Sequence, residues 1–174
     1  MSHASARPAH AAFDLSQPMR WLFIIGGSGL MLLTGLALSR LLLGLAEAGP
    51  YVRQTALFVH VGTVLPAIPL GLYIFLTRKG DARHRLLGKI WLSLMGITAI
   101  ATFFIRNVAD GGFSWIHVFS VLTLIGIPQA IFSARRGNIA RHKRHLVNLF
   151  TFALLTAGYA SFIPSRTMWL WAFG

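Results

Sequence analysis

Five stretches of the chain are apolar for about the length that crosses a bilayer: residues 21–43, 55–77, 86–105, 112–134 and 146–163. A hydrocarbon core of about 30 Å needs roughly 20 apolar residues at about 1.5 Å of helical rise each. Polar, Gly-containing and strongly basic segments separate the stretches. The pattern predicts an all-α integral membrane protein with five transmembrane helices. Residues 1–20 read as a polar, Ala/Pro-rich cytoplasmic tail and residues 21–174 as a single transmembrane helical domain. The "AEA" at Ala46 to Ala48 looks like a signal-peptide cleavage site. The apolar run before it exceeds the about 7–15 residues of a secretory h-region, so the first helix is expected to be retained.

Composition agrees: 55% of the 174 residues are hydrophobic and only 11% are charged, where a soluble domain carries about 25% charge. A net charge of +12 would ordinarily raise nucleic acid as a partner. Here the cations sit in short loops at helix ends instead of along one exposed face, so they report topology and nucleic acid is excluded. With the N-terminus cytoplasmic, that side collects Arg7, Arg20, Arg78, Lys79, Arg83, Arg85, Lys89, Arg135, Arg136, Arg141, Lys143 and Arg144. The opposite side keeps Arg40, Arg53, Arg106 and Arg166. Twelve of the sixteen Lys and Arg on one side is a positive-inside pattern. It predicts a bacterial inner membrane protein with a periplasmic C-terminus, anchored there by the aromatic "MWLWAFG".

The chain also repeats itself. Residues 60–80, "HVGTVLPAIPLGLYIFLTRKG", overlay residues 117–137, "HVFSVLTLIGIPQAIFSARRG", without a gap, and nine of 21 positions are identical. Duplication explains this better than chance similarity between apolar helices. The reading is one extra helix followed by a parallel duplicated helix-loop-helix, with repeat 1 at about 55–105 and repeat 2 at about 112–163, together forming a four-helix core. A parallel repeat has its axis along the membrane normal, so equivalent residues share one depth.

Each repeat opens on a histidine, His60 and His117. A polar ring inside hydrocarbon is a functional hypothesis by default. Each lies 18 residues, roughly 27 Å of helix, before the matching Arg78 or Arg135, which places both near the outer edge of the hydrocarbon. Two imidazoles on parallel helices at one depth can ligate one metal, and for b-type haem each supplies an axial bond. The face around His60, formed by Ala56, Thr63, Val64, Ala67 and Gly71, is small enough to admit a macrocycle or to let helices approach closely. Around His117 the face is bulkier: Phe113, Ser120, Val121, Leu124 and Pro128. Arg40 and Arg106, at outer helix ends, either pair with haem propionates or snorkel to water.

A second pair, His84 and His142, with His145 one turn on, precedes the third and fifth helices. They are either an inner metal or haem site or loop residues facing lipid phosphate. Gln129 and Asn148 read as polar glue between helices or as a quinone contact. The four carboxylates, Asp14, Glu47, Asp81 and Asp110, lie outside or at the edges of spans, which argues against hydrolytic, hard-cation or carboxylate-relay chemistry. The absence of cysteine excludes thiolate metal sites and Cys-linked haem.

"LFVH" opening the second helix, "HRLLGKIW" opening the third and "RRGNIARHKRHL" before the fifth resemble a bacterial family of small membrane proteins, domain of unknown function 2306. The resemblance covers about residues 50–163. More loosely, the helix order and histidine number are similar to cytochrome b561 proteins. Their four-helix core holds one haem through the first and third core helices and another through the second and fourth. That resemblance implies His60 with His117, and His84 with His142, as axial ligands. The second pair departs from it by lying at the membrane rim.

The resulting expectation is a small cytochrome-b-like protein holding one haem b, with a second at the inner pair as its extension. It would pass electrons in or across the membrane, with quinone or a periplasmic electron carrier as partner and membrane lipid around it. The alternative is a cofactor-free accessory or assembly subunit of a larger membrane complex. A copper-handling protein is a third reading, weakened because few methionines line any one face.

Overall fold

The computed structural model describes residues 15–47, 54–105 and 112–174. Within them every regular element is helical. Helix α1 runs Gln17–Leu42, α2 Thr55–Leu76, α3 Ala82–Thr102 and α4 His117–Arg135. All four are long and apolar enough to cross a membrane. The fifth apolar stretch is a composite: α5, Ile139–Asn148, passes without a break into a π-helical segment, Leu149–Thr156, and then into α6, Ala157–Ala160. The wider π turn is visible in Thr156, whose hydroxyl donates to the Thr151 carbonyl five residues back at 2.9 Å. A short α7, Thr167–Phe173, closes the chain.

Four of the five expected spans therefore appear as long apolar helices, with shifted ends. Helix α1 begins inside the expected tail, helped by Pro18 in its first turn. Helix α4 begins only at His117, because the ring of His117 and the backbone of Ser114 hold each other in the turn before it. Residues 1–14, 48–53 and 106–111 lie outside the described residues.

The α2–α3 and α4–α5 turns each contain a glycine at positive φ. Gly80 and Gly137, the last identity of the repeat, have φ of +93° and +69°. A side chain would strain either. At α4 the amides of Gly137 and Asn138 donate back to Ala134 and Ser133, a Schellman closure. The next residue then caps the following helix: Asp81 Oδ1 accepts from the His84 amide at 2.7 Å, and Asn138 Oδ1 from the Arg141 amide at 3.0 Å.

Helices α2 and α3 pack together along their length, as do α4 and α5 with the π segment; α3 joins the pairs through α4. Helix α1 lies against α2, the π segment and α7. At the basic end, Phe23, Phe75, Trp91 and Phe150 form a fully buried aromatic cluster with ring centroids 4.4 to 6.3 Å apart. Such pairs add about 0.5–1.5 kcal/mol each beyond area burial. Trp91 Nε1 donates to the Ala67 carbonyl at 2.9 Å, so the indole carries no unmet donor. Leu32, Phe58, Leu122 and Phe152 point outward, a surface suited to lipid.

Candidate cofactor site

The aromatic cluster fills the basic half of the bundle, and the opposite half holds a cavity of about 200 Å³. Helices α1 to α4 and the π-helical segment with α6 all contribute to its wall. Its depth is apolar, with Leu30, Val64, Met95 and Leu154. Toward the end of the bundle it turns polar, with His60, Thr98, Thr102, Ser114 and Arg166.

His60 is held by α3. Thr102 donates its hydroxyl to the Thr98 carbonyl at 2.8 Å, which leaves its oxygen lone pair to accept from His60 Nδ1 at 2.9 Å. Nδ1 also lies 3.3 Å from the Thr98 carbonyl. Both partners place the ring proton on Nδ1, so Nε2 is the bare nitrogen. Beneath it, the hydroxyls of Thr63 and Thr98 meet at 2.7 Å, with Thr63 donating to Val59. This threonine ladder satisfies every polar group around the ring through the backbone, and it fixes the imidazole at the cavity wall.

His117 is buried behind that wall. Its ring meets Phe113 edge-on at 5.1 Å and lies 6.0 Å from Phe103, at the end of α3. Nδ1 sits 3.0 Å from both the amide and the carbonyl of Ser114. Nε2 has no hydrogen-bond partner. A buried Nε2–H left unmatched would cost about 1–3 kcal/mol. The Ser114 amide donates to Nδ1, so the neutral ring carries its proton on Nε2, buried without an acceptor. His60 and His117 thus rest on one turn of α3, through Thr102 and Phe103, yet only His60 borders the cavity.

At the basic end, His142 donates Nδ1–H to the Ala130 carbonyl at 2.9 Å, again leaving Nε2 bare. His84 lies close enough to feel the charge of His142, and its own Nδ1 is buried without a partner. His145 Nε2 is buried and unpaired too. Burial first, then the charges of Arg141, Arg144 and His142, hold the His145 pKa below the ordinary imidazole value. No group of three or more His, Asp or Glu side chains able to hold a metal occurs among the described residues.

The remaining candidates separate clearly. Arg40 does not reach the cavity: its guanidinium donates to the carbonyls of Trp171 at 3.2 Å, Gly174 at 2.7 Å and Leu45 at 3.3 Å, tying α7 to α1. Trp171 of the expected interfacial anchor is accordingly buried against this contact, and Trp169 stacks on Phe173 instead. Arg106 lies outside the described residues. Gln129 and Asn148 are both exposed, and no hydrogen bond joins them. The small stripe below His60 serves packing at its lower end, where a Cβ on Gly71 would lie 2.6 Å from Trp91 Nε1 and 2.8 Å from Phe150. Arg166, which sequence alone marks only as a helix-end cation, proves to line the cavity. The chain between α6 and α7 brings it there, and no periodicity announces such a return.

Imidazole nitrogens are the donors a b-type haem takes, but of the outer pair only His60 borders the cavity. His60 and His142 direct Nδ1 at backbone carbonyls, and His117 has a carbonyl within the same reach. That is how proteins orient a ligating imidazole and raise its basicity. The volume fits less well: about 200 Å³ is below the about 300–1,000 Å³ usual for ligand pockets. His117 would have to leave its place between Phe103 and Phe113 to reach a group held in the cavity.

A family model described as predicted membrane protein (DUF2306) matches residues 57–172, a span that includes His60, His84, His117 and His142. No curated protein and no solved structure matches the chain.

Proposed function

The chain belongs to this family of predicted membrane proteins, and we propose that it is a five-span electron-transfer protein holding b-type haem through His60 and His117. Residues 146–163, from the end of α5 through the π segment and α6, are read as the fifth span. The two glycine-turned helix pairs are read as the duplicated core. On the positive-inside pattern the basic loops face the cytoplasm and α7 the periplasm, in a bacterial inner membrane.

The observation that carries the reading is the free Nε2 of His60 and His142, on rings whose Nδ1 is turned to a carbonyl, together with the unpaired Nε2 of His117. Bound there, haem would supply one-electron exchange at a potential set by its ligands and burial. The chain's own residues do the rest. Thr98 and Thr102 hold the His60 ring in one tautomer, Ser114 holds the His117 ring in place, and the apolar depth excludes water. His142 repeats this arrangement at the basic rim, and with His84, whose unpaired nitrogen is Nδ1, it extends the proposal to a second haem. Quinone is the membrane-phase partner that the two exposed amides, Gln129 and Asn148, could meet.

A cofactor-free accessory subunit is the second reading, favoured by the small cavity and by the packing of His117 between two phenylalanines. One spectrum separates them: the dithionite-reduced minus oxidised difference of detergent-purified protein from haem-supplied cells, with haem quantified per chain. The proposal expects a low-spin b-type spectrum that His60→Ala and His117→Ala abolish. A flat spectrum, or full haem in both variants, overturns it in favour of the accessory subunit.

A further inference from the structure

The cavity is amphipathic in a definite sense. Its depth is apolar, and the cation on its polar side is Arg166, on the turn that joins α6 to α7. That turn is built to a fixed shape. The Arg166 amide donates to the Ile163 carbonyl at 3.1 Å across Pro164 and Ser165, and Ser165 takes φ +71°, a conformation L residues rarely adopt. The guanidinium stands 5.6 Å over the Trp115 ring, which limits its swing without neutralising its charge. No carboxylate pairs with it among the described residues, and Ser114 and Thr167 stand beside it as further hydrogen-bonding groups on the cavity wall. A half-buried cation on the polar side of an apolar cavity matches a guest with an apolar body and an anionic end.

We propose that Arg166 is the carboxylate-binding residue of this cavity, the group that pairs with the acidic edge of the bound guest. The assignment rests on the haem reading for the identity of that edge, the propionates, while the recognition chemistry is that of any amphipathic carboxylate. It also replaces Arg40, whose guanidinium is committed to α7. Arg suits this role because its planar fork meets a carboxylate with two parallel hydrogen bonds.

The experiment compares wild type, Arg166→Gln and Arg166→Lys as full-length protein in detergent. If the wild type carries haem, Arg166→Gln should keep the low-spin spectrum but shift its midpoint potential downward, because a cation beside the guest no longer favours the reduced form. Haem dissociation should rise about tenfold or more, the loss of a charged hydrogen-bonded pair, and Arg166→Lys should recover part of both effects. An unchanged potential and unchanged dissociation in Arg166→Gln overturn the assignment while leaving the haem reading intact. If the wild type is colourless, the haem reading fails by itself, and a fluorescent long-chain fatty acid becomes the probe. Binding to the wild type that weakens about tenfold in Arg166→Gln supports the assignment; absent or equal binding overturns it.

Discussion

His60 Nδ1 and Thr102 Oγ1 meet at 2.9 Å, and the proton between them belongs to the imidazole because the threonine has given its own to the Thr98 carbonyl. Thr102 therefore decides which histidine nitrogen faces the cavity. Thr102→Val keeps the helix and the volume but removes the acceptor, leaving the Thr98 carbonyl at 3.3 Å as the remaining partner. Second-shell losses of this kind cost about 10–100-fold in metal-site affinity. Reconstitution titrations with haem should show that loss in Thr102→Val and near wild-type affinity in Thr102→Ser. Equal affinities would detach Thr102 from the site.

Gly71 leaves the space that Trp91 and Phe150 occupy. With a Cβ there, the indole nitrogen would be 2.6 Å away and the Phe150 ring 2.8 to 3.0 Å. Neither ring can retreat, because both are fully buried and Trp91 is bonded to the Ala67 carbonyl. Gly71→Ala should lower the unfolding free energy in detergent by about 1–3 kcal/mol, the usual penalty for overpacking. Gly62→Ala, on the same helix with nothing within 4 Å, should not. A neutral Gly71→Ala would show that the aromatic cluster is loose.

Much of this was legible from the chain itself. The apolar runs located all four long helices to within a few residues, since length and hydropathy are what a bilayer selects. The glycine shared by the two similar sequence segments takes positive φ at both Gly80 and Gly137, which explains why that position matches. The π segment was not: its Leu149–Thr156 residues are as apolar as any helix, and no local rule marks where a turn widens. His60 was legible as a wall residue by its polarity in an apolar run. The seclusion of His117 depends on Phe103 and Phe113 folding over it from outside its own helix. Arg40 misled because an arginine at a helix end looks alike whether it faces a ligand or caps another helix. The C-terminal carbonyls that claim it are 131 and 134 residues away.

The two repeat turns should respond alike. Gly80→Ala and Gly137→Ala each place a Cβ at positive φ, with nothing within 4 Å to clash, so the backbone conformation is the only cost. About 1–2 kcal/mol per site is expected, measured as lost unfolding free energy. Ser165→Gly should move the other way, because it relieves a non-glycine residue already at φ +71°. A large difference between the two glycines would mean the copies no longer share one turn.

His145 gives the molecule an acid limit. Its pKa is held below the ordinary 6.5 by burial and by the charges of Arg141, Arg144 and His142. The unfolded chain therefore takes this proton before the folded one does. Linkage then fixes the sign: the contribution of His145 is fully present above about pH 6.5 and is lost as pH falls below it toward the folded value. Thermal unfolding in detergent from pH 8 to 5 should show wild type and His145→Gln running parallel above pH 6.5. Below it the wild type should fall more steeply, since glutamine has no proton to gain. The difference between the two curves is the contribution of His145. Curves that stay parallel to pH 5 would place the His145 ring in water, with its Nε2 no longer buried among the basic loops.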